Sequence, residues 1–438
     1  MWNTKLNGIC VFRFFVAWLA PGFTLMGAKV ATSDSALARI ELVCVDPDVK
    51  TYSGTFHSHN QKVVQNARGV FMTHVRTRTL RYEKQEWRLS WSKDGGETFT
   101  ILFSDTHATS PGALETDREG NIYMGRPDFA DKNAYLYRFF ASENYRRPHI
   151  SVIPNGAGGK YAMMLDEKRR QIYWICHNRN FSRLDMEGKV LFSDYIFAAK
   201  STAVIGYPHL SLDPEGVLHA AWTTVMVPAP RPVLPIYWDI HYMQSADGGI
   251  TWRTMAGKPI TLPVPADNTG PTERIIRDDE YGVSNWLANM AVKNGKAHFL
   301  YLHKSQPPRQ NYRRYDLATQ KIDADQQPRF KGQTLSITSD GFFATRRNDP
   351  RSPLFCVAKD SEQPRLACLV SYDNGKSWQD YAVSDNLKAP YATGGCREIT
   401  ADGWVIGSCT DMIEPWRAGT EADNAKVYFL RIRANAKG

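Results

Sequence analysis

Histidine, tyrosine, arginine and amide side chains gather at the two ends of short apolar stretches in this sequence. Those just before a stretch are His57, His59, Asn60, Gln61, Lys62, His107, Tyr207, His209, Asn285 and Trp286. Those at the end of the stretch that follows are His74, Arg76, Arg78, Arg126, His177, Arg179, His303 and Lys304. Carboxylates are scarce at these positions. Imidazole and phenol groups transfer protons, and guanidinium and amide groups hold anions by hydrogen bonds. The set indicates acid–base chemistry on an anionic ligand.

The overall charge agrees with an anionic ligand. The 438 residues include 54 Lys and Arg against 45 Asp and Glu, a formal net charge of +9. The basic residues are scattered, so we expect acidic glycans rather than nucleic acid as partners. The apolar and charged fractions, 42% and 23%, exclude a wholly disordered or collagen-like chain. Beyond the N-terminus, no apolar run reaches about 18 residues, which excludes stable membrane insertion by an internal helix.

A short turn pattern recurs along the chain and predicts the elements that position these side chains. Asp/Asn-x-x-Gly turns occur at 66–69, 117–120 and 213–216, with looser copies at 166–169, 293–295, 348–351 and 401–403. The flanking stretches, such as 70–74 and 171–175, are rich in Val, Tyr, Phe, Trp and Thr, as strands are. A repeat of about 50 residues with four short strands is typical of a propeller blade. The sequence predicts an all-β propeller of seven four-stranded blades, with six as the alternative.

The last repeat has three clear strands, ending at 427–431. We expect the stretch 39–45 to supply its fourth strand, which closes the ring and hides both edges. Residues 39–438 are therefore predicted to form a single propeller domain after a short linker at 29–38, and we expect a monomer.

The first 28 residues differ from the rest. Lys5 and Arg13 precede or flank an apolar stretch at 14–20, and small residues end the segment at Ala28. This layout predicts a secretory signal peptide over 1–28 and a secreted or periplasmic protein.

Six cysteines remain after the predicted signal peptide. The strand assignment places Cys356 beside Cys368 and Cys396 beside Cys409 on neighbouring strands. Disulfides and buried free thiols are both compatible with this spacing. No Cys-x-x-Cys spacing occurs, so no metal site is predicted, and no cofactor is expected.

A second pattern lies within three of the repeats, at 92–99, 245–252 and 371–378. Each copy reads close to Ser-x-Asp-x-Gly-x-Thr-Trp, in which Asp caps a tight turn and Gly takes a positive φ. This pattern resembles the Asp box, or BNR repeat, of the sialidase-like propeller superfamily. The resemblance covers essentially the whole chain after the signal peptide. It implies that the boxes are structural hairpin turns.

In such a propeller, the boxes and the Asp-x-x-Gly turns share one face, here called the turn face. The beginnings of the first strands lie on the other, here called the loop face, where we expect the ligand. The predicted substrate-binding residues there are His59, Asn60, Gln61, Lys62, Arg126, His177, Arg179, Trp286 and Arg397.

Three activities stay open. The sialidase resemblance implies an arginine at the start of blade one, but residues 59–62 read His-Asn-Gln-Lys. The sequence is also similar to ulvan-lyase-like propellers, which implies β-elimination of a uronate polysaccharide with a carboxylate clamp, a base and an acid. On that reading His107, Tyr207 and His209 are the catalytic candidates, and we favour elimination. The alternatives are an exo-sialidase-type glycoside hydrolase and a non-catalytic glycan- or protein-binding propeller.

Overall fold

Regular structure in this protein is almost entirely β-strand. A computed structural model describes residues 37–51, 53–56, 60–77, 85–106, 110–128, 131–198, 203–226, 236–267, 269–276, 285–303, 309–337, 340–412 and 425–434. The predicted signal peptide at 1–28 and most of the predicted linker lie outside these residues. Apart from a 3-10 turn at Ala141–Glu143, the regular elements within the described ranges are strands. None of the helical segments in these ranges could cross a membrane. The all-β prediction is confirmed.

The first strand, β1, spans Ala38–Asp46. Three separate four-stranded antiparallel sheets follow it, here called groups 1 to 3. Group 1 contains β2 (Val63–Asn66), β3 (Gly69–Thr77), β4 (Gln85–Ser92) and β5 (Thr100–Asp105). Group 2 contains β6 (Ala113–Thr116), β7 (Ile122–Pro127), β8 (Ala134–Phe139) and β9 (His149–Ile153). Group 3 contains β10 (Tyr161–Asp166), β11 (Gln171–Cys176), β12 (Asn180–Asp185) and β13 (Val190–Tyr195).

The next two groups are also separate sheets. Group 4 contains β14 (Ala203–Leu212), β15 (Leu218–Met226), β16 (Ile236–Ser245), β17 (Trp252–Arg253), β18 (Pro259–Ile260) and β19 (Glu273–Ile276). Group 5 contains β20 (Asn285–Lys293), β21 (Lys296–His303), β22 (Arg309–Asp316) and β23 (Lys321–Gln326).

The remaining strands form one larger sheet. Its hairpin of β24 (Arg329–Phe330) and β25 (Gln333–Ser336) joins group 6, which contains β26 (Phe342–Ala344), β27 (Leu354–Asp360), β28 (Leu366–Ser371) and β29 (Gln379–Ser384). Group 7 contains β30 (Pro390–Gly395), β31 (Trp404–Asp411), β32 (Lys426–Arg433) and β1. Strand β1 pairs antiparallel with β32, with Leu42 opposite Leu430, and its start pairs parallel with β29.

The sheets pack face to face through apolar side chains. Trp174 lies between groups 2 and 3, and Trp222 lies between groups 3 and 4, both without exposed surface. Burying such large rings is the dominant favourable term for packing twisted sheets. The first strands β2, β6, β10, β14, β20, β26 and β30 contact one another in that order.

The three Asp boxes form the same hydrogen-bonded turn at the end of the third strand. Asp247 accepts hydrogen bonds from the Ser245 hydroxyl at 2.8 Å, and from the Thr251 backbone N–H at 2.9 Å and hydroxyl at 2.6 Å. Asp94 and Asp373 repeat these bonds within their own boxes. Their carboxylates are thus occupied within the turn.

Each box also packs against a neighbouring group. The ring of Trp252 meets Phe181 of group 3 edge-on, with ring centroids 5.4 Å apart. A Cβ at Gly249 would lie 2.5 Å from the Phe181 ring, so only glycine fits there. Phe99 packs in the same way on Phe429, and Trp378 on Tyr312. The boxes therefore hold neighbouring sheets together.

The six cysteines of the described ranges are free thiols. Cys356 and Cys368 do lie on the paired strands β27 and β28, but in register each faces a different residue, Leu369 and Val357. Of the two states left open by the spacing, the structure has buried free thiols at these positions.

Replacing Asp247 with Ala should destabilise the fold, because the hydroxyl and backbone donors of its turn lose their acceptor. We expect the free energy of unfolding to fall by about 2 kcal/mol, measured by chemical denaturation. The control is Ile250→Ala in the same turn, whose side chain is 59% exposed. An Asp247→Ala variant as stable as the control would contradict the structural role of the box.

Candidate functional site

A β-bulge in strand β14 presents Tyr207 on the loop-face side of the first strands. The pairing register with β15 shifts between Gly206 and His209, and Tyr207 has a φ of 47°. A positive φ is rare for an aromatic residue and marks a conformation that its surroundings impose. Bulges often re-aim a side chain beside a functional site.

Three rings from groups 4 and 5 meet at this bulge. Tyr207 stacks on Trp286 with centroids 5.8 Å apart, and Tyr237 lies 5.6 Å from Tyr207 and 4.8 Å from Trp286. We call Tyr207, Tyr237 and Trp286 the aromatic wall. Flat apolar rings with polar tips are the side chains on which sugar rings can stack.

Lys160, directly before β10, reaches the aromatic wall from group 3. Its Nζ lies 4.9 Å from the Tyr207 ring centroid and 4.7 Å from that of Phe56, which itself stacks on Tyr391. Burial among these rings lowers the pKa of Lys160 to about 7. The ammonium form is thus in balance with the neutral amine near neutral pH, beside an aromatic surface.

His177, just after β11, lies against the same lysine. Its Nδ1 accepts a hydrogen bond from the Lys160 backbone N–H at 3.2 Å. Burial, with the positive charge of Lys160 as the second cause, lowers the pKa of His177 to about 4. At neutral pH the ring is therefore uncharged, and with Nδ1 accepting, Nε2 carries the proton. His177 can act as a hydrogen-bond donor through Nε2.

A second set of polar side chains, here called the axial cluster, lies around the first strands: Asn60, Gln61, Lys62, Glu115, His209, Asp340 and Arg397. Burial lowers the pKa of Lys62 to about 7, although the Asp340 carboxylate opposes this effect. Burial raises the pKa of Asp340 to about 7. Burial, then the charges of Arg397 and Lys62, lower the pKa of His209 to about 3, so that this imidazole is neutral at neutral pH.

Arg397 and Gln61 are bound to other protein groups within the axial cluster. The Arg397 Nη1 pairs with Glu115 at 2.5 Å, and its Nη2 donates to the Met163 carbonyl at 3.0 Å. The Gln61 side chain donates to the Leu114 carbonyl at 3.0 Å and accepts from the Arg397 backbone N–H at 2.9 Å. These bonds link groups 1, 2, 3 and 7 around the first strands.

Two predicted residues lie away from both sets. Arg126 is only 4% exposed, and its guanidinium donates to the Tyr137 hydroxyl at 3.2 Å. Arg179 extends to the outermost strand of group 3, where it lies 4.6 Å from the Tyr195 ring centroid. His59 and His107 fall outside the described residues.

The structure thus brings the predicted residues together in two places. Tyr207 and Trp286 meet in the aromatic wall, His177 is hydrogen-bonded to the backbone of Lys160 beside that wall, and Asn60, Gln61, Lys62, His209 and Arg397 meet in the axial cluster. Their assigned roles stay predictions. Sequence reasoning missed Lys160, Tyr237, Asp340 and Glu115. The sequence does contain a feature that could have indicated Lys160. It stands directly before the first strand of its group, as Lys62 stands directly before β2.

Comparison with known proteins supports this fold. The sequence profile of BNR repeat-containing family members matches residues 167–326. No curated protein sequence matches this chain.

Two solved structures share the fold. A polysaccharide lyase of family PL25, an ulvan lyase, superimposes with a TM-score of 0.62 at 11% identity, covering 89% of this chain and 96% of that one. The polysaccharide lyase Uly1 superimposes with a TM-score of 0.55 at 11% identity, covering 91% and 100%. The predicted resemblance to BNR-repeat and ulvan-lyase propellers is confirmed.

Replacing Arg397 with Met should leave the Glu115 carboxylate buried without its cation. We expect the free energy of unfolding to fall by about 2–3 kcal/mol. This value is near the lower limit for breaking a buried ion pair, because the Arg397 side chain keeps some exposure. The double variant Arg397→Met, Glu115→Gln should recover most of it. A single variant as stable as the unmodified protein would contradict this pairing and favour the predicted contact with substrate.

Proposed function

We propose that this protein is an enzyme that cleaves an acidic polysaccharide by β-elimination at the aromatic wall. The observation that carries the proposal is the contact of the Lys160 ammonium of group 3 with the Tyr207 ring of group 4, which stacks on Trp286 of group 5; His177 is bonded to the Lys160 backbone. Together they supply a cation, a neutral hydrogen-bond donor, a phenol and a stacking surface. Those are the groups that elimination from a uronate needs.

The chemistry divides among these side chains as follows. Trp286 stacks on the sugar ring, and the Lys160 ammonium pairs with the uronate carboxylate, which makes the C5 proton more acidic. Tyr207, as its phenolate, accepts that proton, the electron pair of the C5–H bond forms the C4–C5 double bond, and the C4–O bond breaks. The leaving oxygen takes a proton from the Tyr207 hydroxyl formed in this step, which restores the phenolate, while the Nε2–H of His177 can donate a hydrogen bond to the substrate.

The proposal includes the architecture of the ring. We infer seven blades, one for each group, with β1 closing the ring as the outer strand of the seventh. Support comes from the succession of contacts between first strands and from contact of β31 with β2. A cavity of about 380 Å³ on the turn face is lined by at least one residue from, or directly after, each first strand, among them Val64, Glu115, Met164, Leu212, Met290, Phe343 and Cys396.

The comparisons point the same way. One of the similar structures is an ulvan lyase bound to a GlcA–Rha3S repeat, at a TM-score of 0.62 and 10% identity. The signal-like segment at 1–28 supports a site of action outside the cytoplasm, secreted or periplasmic, where such polysaccharides occur.

Purified protein should release unsaturated uronate from a polyuronate such as ulvan, detected by the ultraviolet absorbance of the new double bond. Tyr207→Phe should lower kcat by about 10²-fold or more, because the proton-transfer group is lost. The control is Tyr195→Phe, a tyrosine 39% exposed on the outer strand of group 3. Reducing sugar or free sialic acid without that absorbance would contradict elimination and favour the hydrolase. No product would favour a binding propeller. Variants of His107 and His209 in the same assay test their predicted roles.

The pH profile tests the role of Lys160. Because its pKa in the free enzyme is about 7, kcat/KM should fall as pH rises through that value and the ammonium loses its proton. Lys160→Arg should remove this falling limb, since a guanidinium stays charged. Lys160→Met should be weak at every pH. If kcat/KM instead rises as pH increases through 7, and this rise is absent in Lys160→Arg, the neutral amine of Lys160 would be the base.

A further inference from the structure

A second cavity lies between groups 4 and 5, outside the aromatic wall. Its volume is about 710 Å³, and β19 forms one side while β21, β22 and β23 form the other. We call it the inter-group groove. Its polar lining includes Arg274, His303, Asn311, Arg313, Gln326 and Gln327. The volume falls within the range of pockets that hold small organic ligands, roughly 300–1,000 Å³.

The inner end of the groove adjoins the aromatic wall. His303 lines the groove and is paired across the sheet with Asn285, the neighbour of Trp286. The Asn285 side chain donates to the Trp238 carbonyl at 2.8 Å, and Trp238 follows Tyr237 of the aromatic wall. Paired strands lie about 4.8 Å apart, so the groove residue His303 is separated by one strand spacing from Asn285, which precedes Trp286.

The groove has fixed walls. The Arg313 guanidinium is held by Asp325 through Nε at 3.1 Å, and its Nη1 donates to the Ile275 carbonyl at 2.8 Å. The Tyr315 hydroxyl donates to the same carbonyl at 3.2 Å. These bonds tie β19 to β22, so the groove does not have to form when a ligand arrives. A preformed site avoids much of the ordering cost of binding.

The lining matches the chemistry of a sugar chain. Amide, guanidinium, imidazole and phenol groups can bond hydroxyl, carboxylate or sulfate oxygens, and Ile322, which is 46% exposed, gives apolar contact to the C–H faces of the rings. The Asp325 carboxylate also lines the groove and is paired with Arg313. Arg274, paired at 2.5 Å with the buried Asp239, brings a second oriented guanidinium to the groove.

We propose that the inter-group groove binds further sugar units of the same acidic polysaccharide that is cut at the aromatic wall. This inference rests on the proposed function. The substrate would then be a chain of several sugar units, some of which bind in the groove at a distance from the cleaved bond. The enzyme would therefore cleave polymers in preference to short fragments.

The test compares chain lengths. In the double variant His303→Ala, Asn311→Ala, we expect KM for ulvan polymer to rise by about 10-fold, as for the loss of a few hydrogen bonds. Its kcat should not change, and its loss of kcat/KM on the ulvan tetrasaccharide should be smaller than the loss on the polymer. The control is His149→Ala, an exposed histidine of group 2. Equal losses on polymer and tetrasaccharide, or no loss on polymer, would overturn the proposal.

A binding readout separates this inference from the proposed chemistry. Migration of the intact protein is measured by electrophoresis through gels that contain ulvan, alginate, pectate or heparin. If a polymer retards the wild-type protein and retards the double variant less, the result supports binding in the groove. If the protein also cleaves nothing, only the proposed β-elimination is contradicted. Retardation lost in Trp286→Ala but unchanged in the double variant overturns the groove and leaves the aromatic wall. If no polymer retards the wild-type protein, both the groove proposal and the aromatic-wall proposal are overturned.

Discussion

The contact between each Asp box and the preceding sheet is the constraint on which the site depends. Trp252 on Phe181 and Trp378 on Tyr312 fix one sheet against the next. Because the sheets are fixed, their first strands come together. The Trp252 contact lets Lys160 of group 3 reach Tyr207 of group 4, and the apolar cluster shared by groups 4 and 5 brings Trp286 beside Tyr207. The boxes lie on the face away from this site, so they act through the placement of the sheets.

The aromatic wall has two energetically unfavourable features that a purely structural surface would not need. Tyr207 has a left-handed backbone, which costs about 1–3 kcal/mol in a residue other than glycine. Lys160 is buried enough to lower its pKa to about 7. Both occur within one contact, where the ring of Tyr207 lies 4.9 Å from the Lys160 Nζ. A substrate carboxylate that pairs with the ammonium would offset the second cost and favour the charged lysine.

Local chemistry explains which features could be predicted from the sequence. The turns and Asp boxes depend on Asp and Gly at short range, so their positions could be predicted, as could the pairing of the N-terminal strand with the last group. The site depends on contacts between distant residues. Pro208 marks the bulge at Tyr207 locally, but the contact of Tyr207 with Trp286 joins two groups, and Arg397 is bound to Glu115, 282 residues away. Lys160 was missed because its importance arises from the rings around it.

The central claim is that the acidic sugar binds at the aromatic wall with its carboxylate on Lys160. A crystal structure of the Tyr207→Phe variant with a uronate-containing oligosaccharide tests this most directly. The account predicts a sugar ring against Trp286 and a carboxylate oxygen within hydrogen-bond distance of the Lys160 Nζ. A sugar bound only in the turn-face cavity, or a uronate whose carboxylate points away from Lys160, would contradict it.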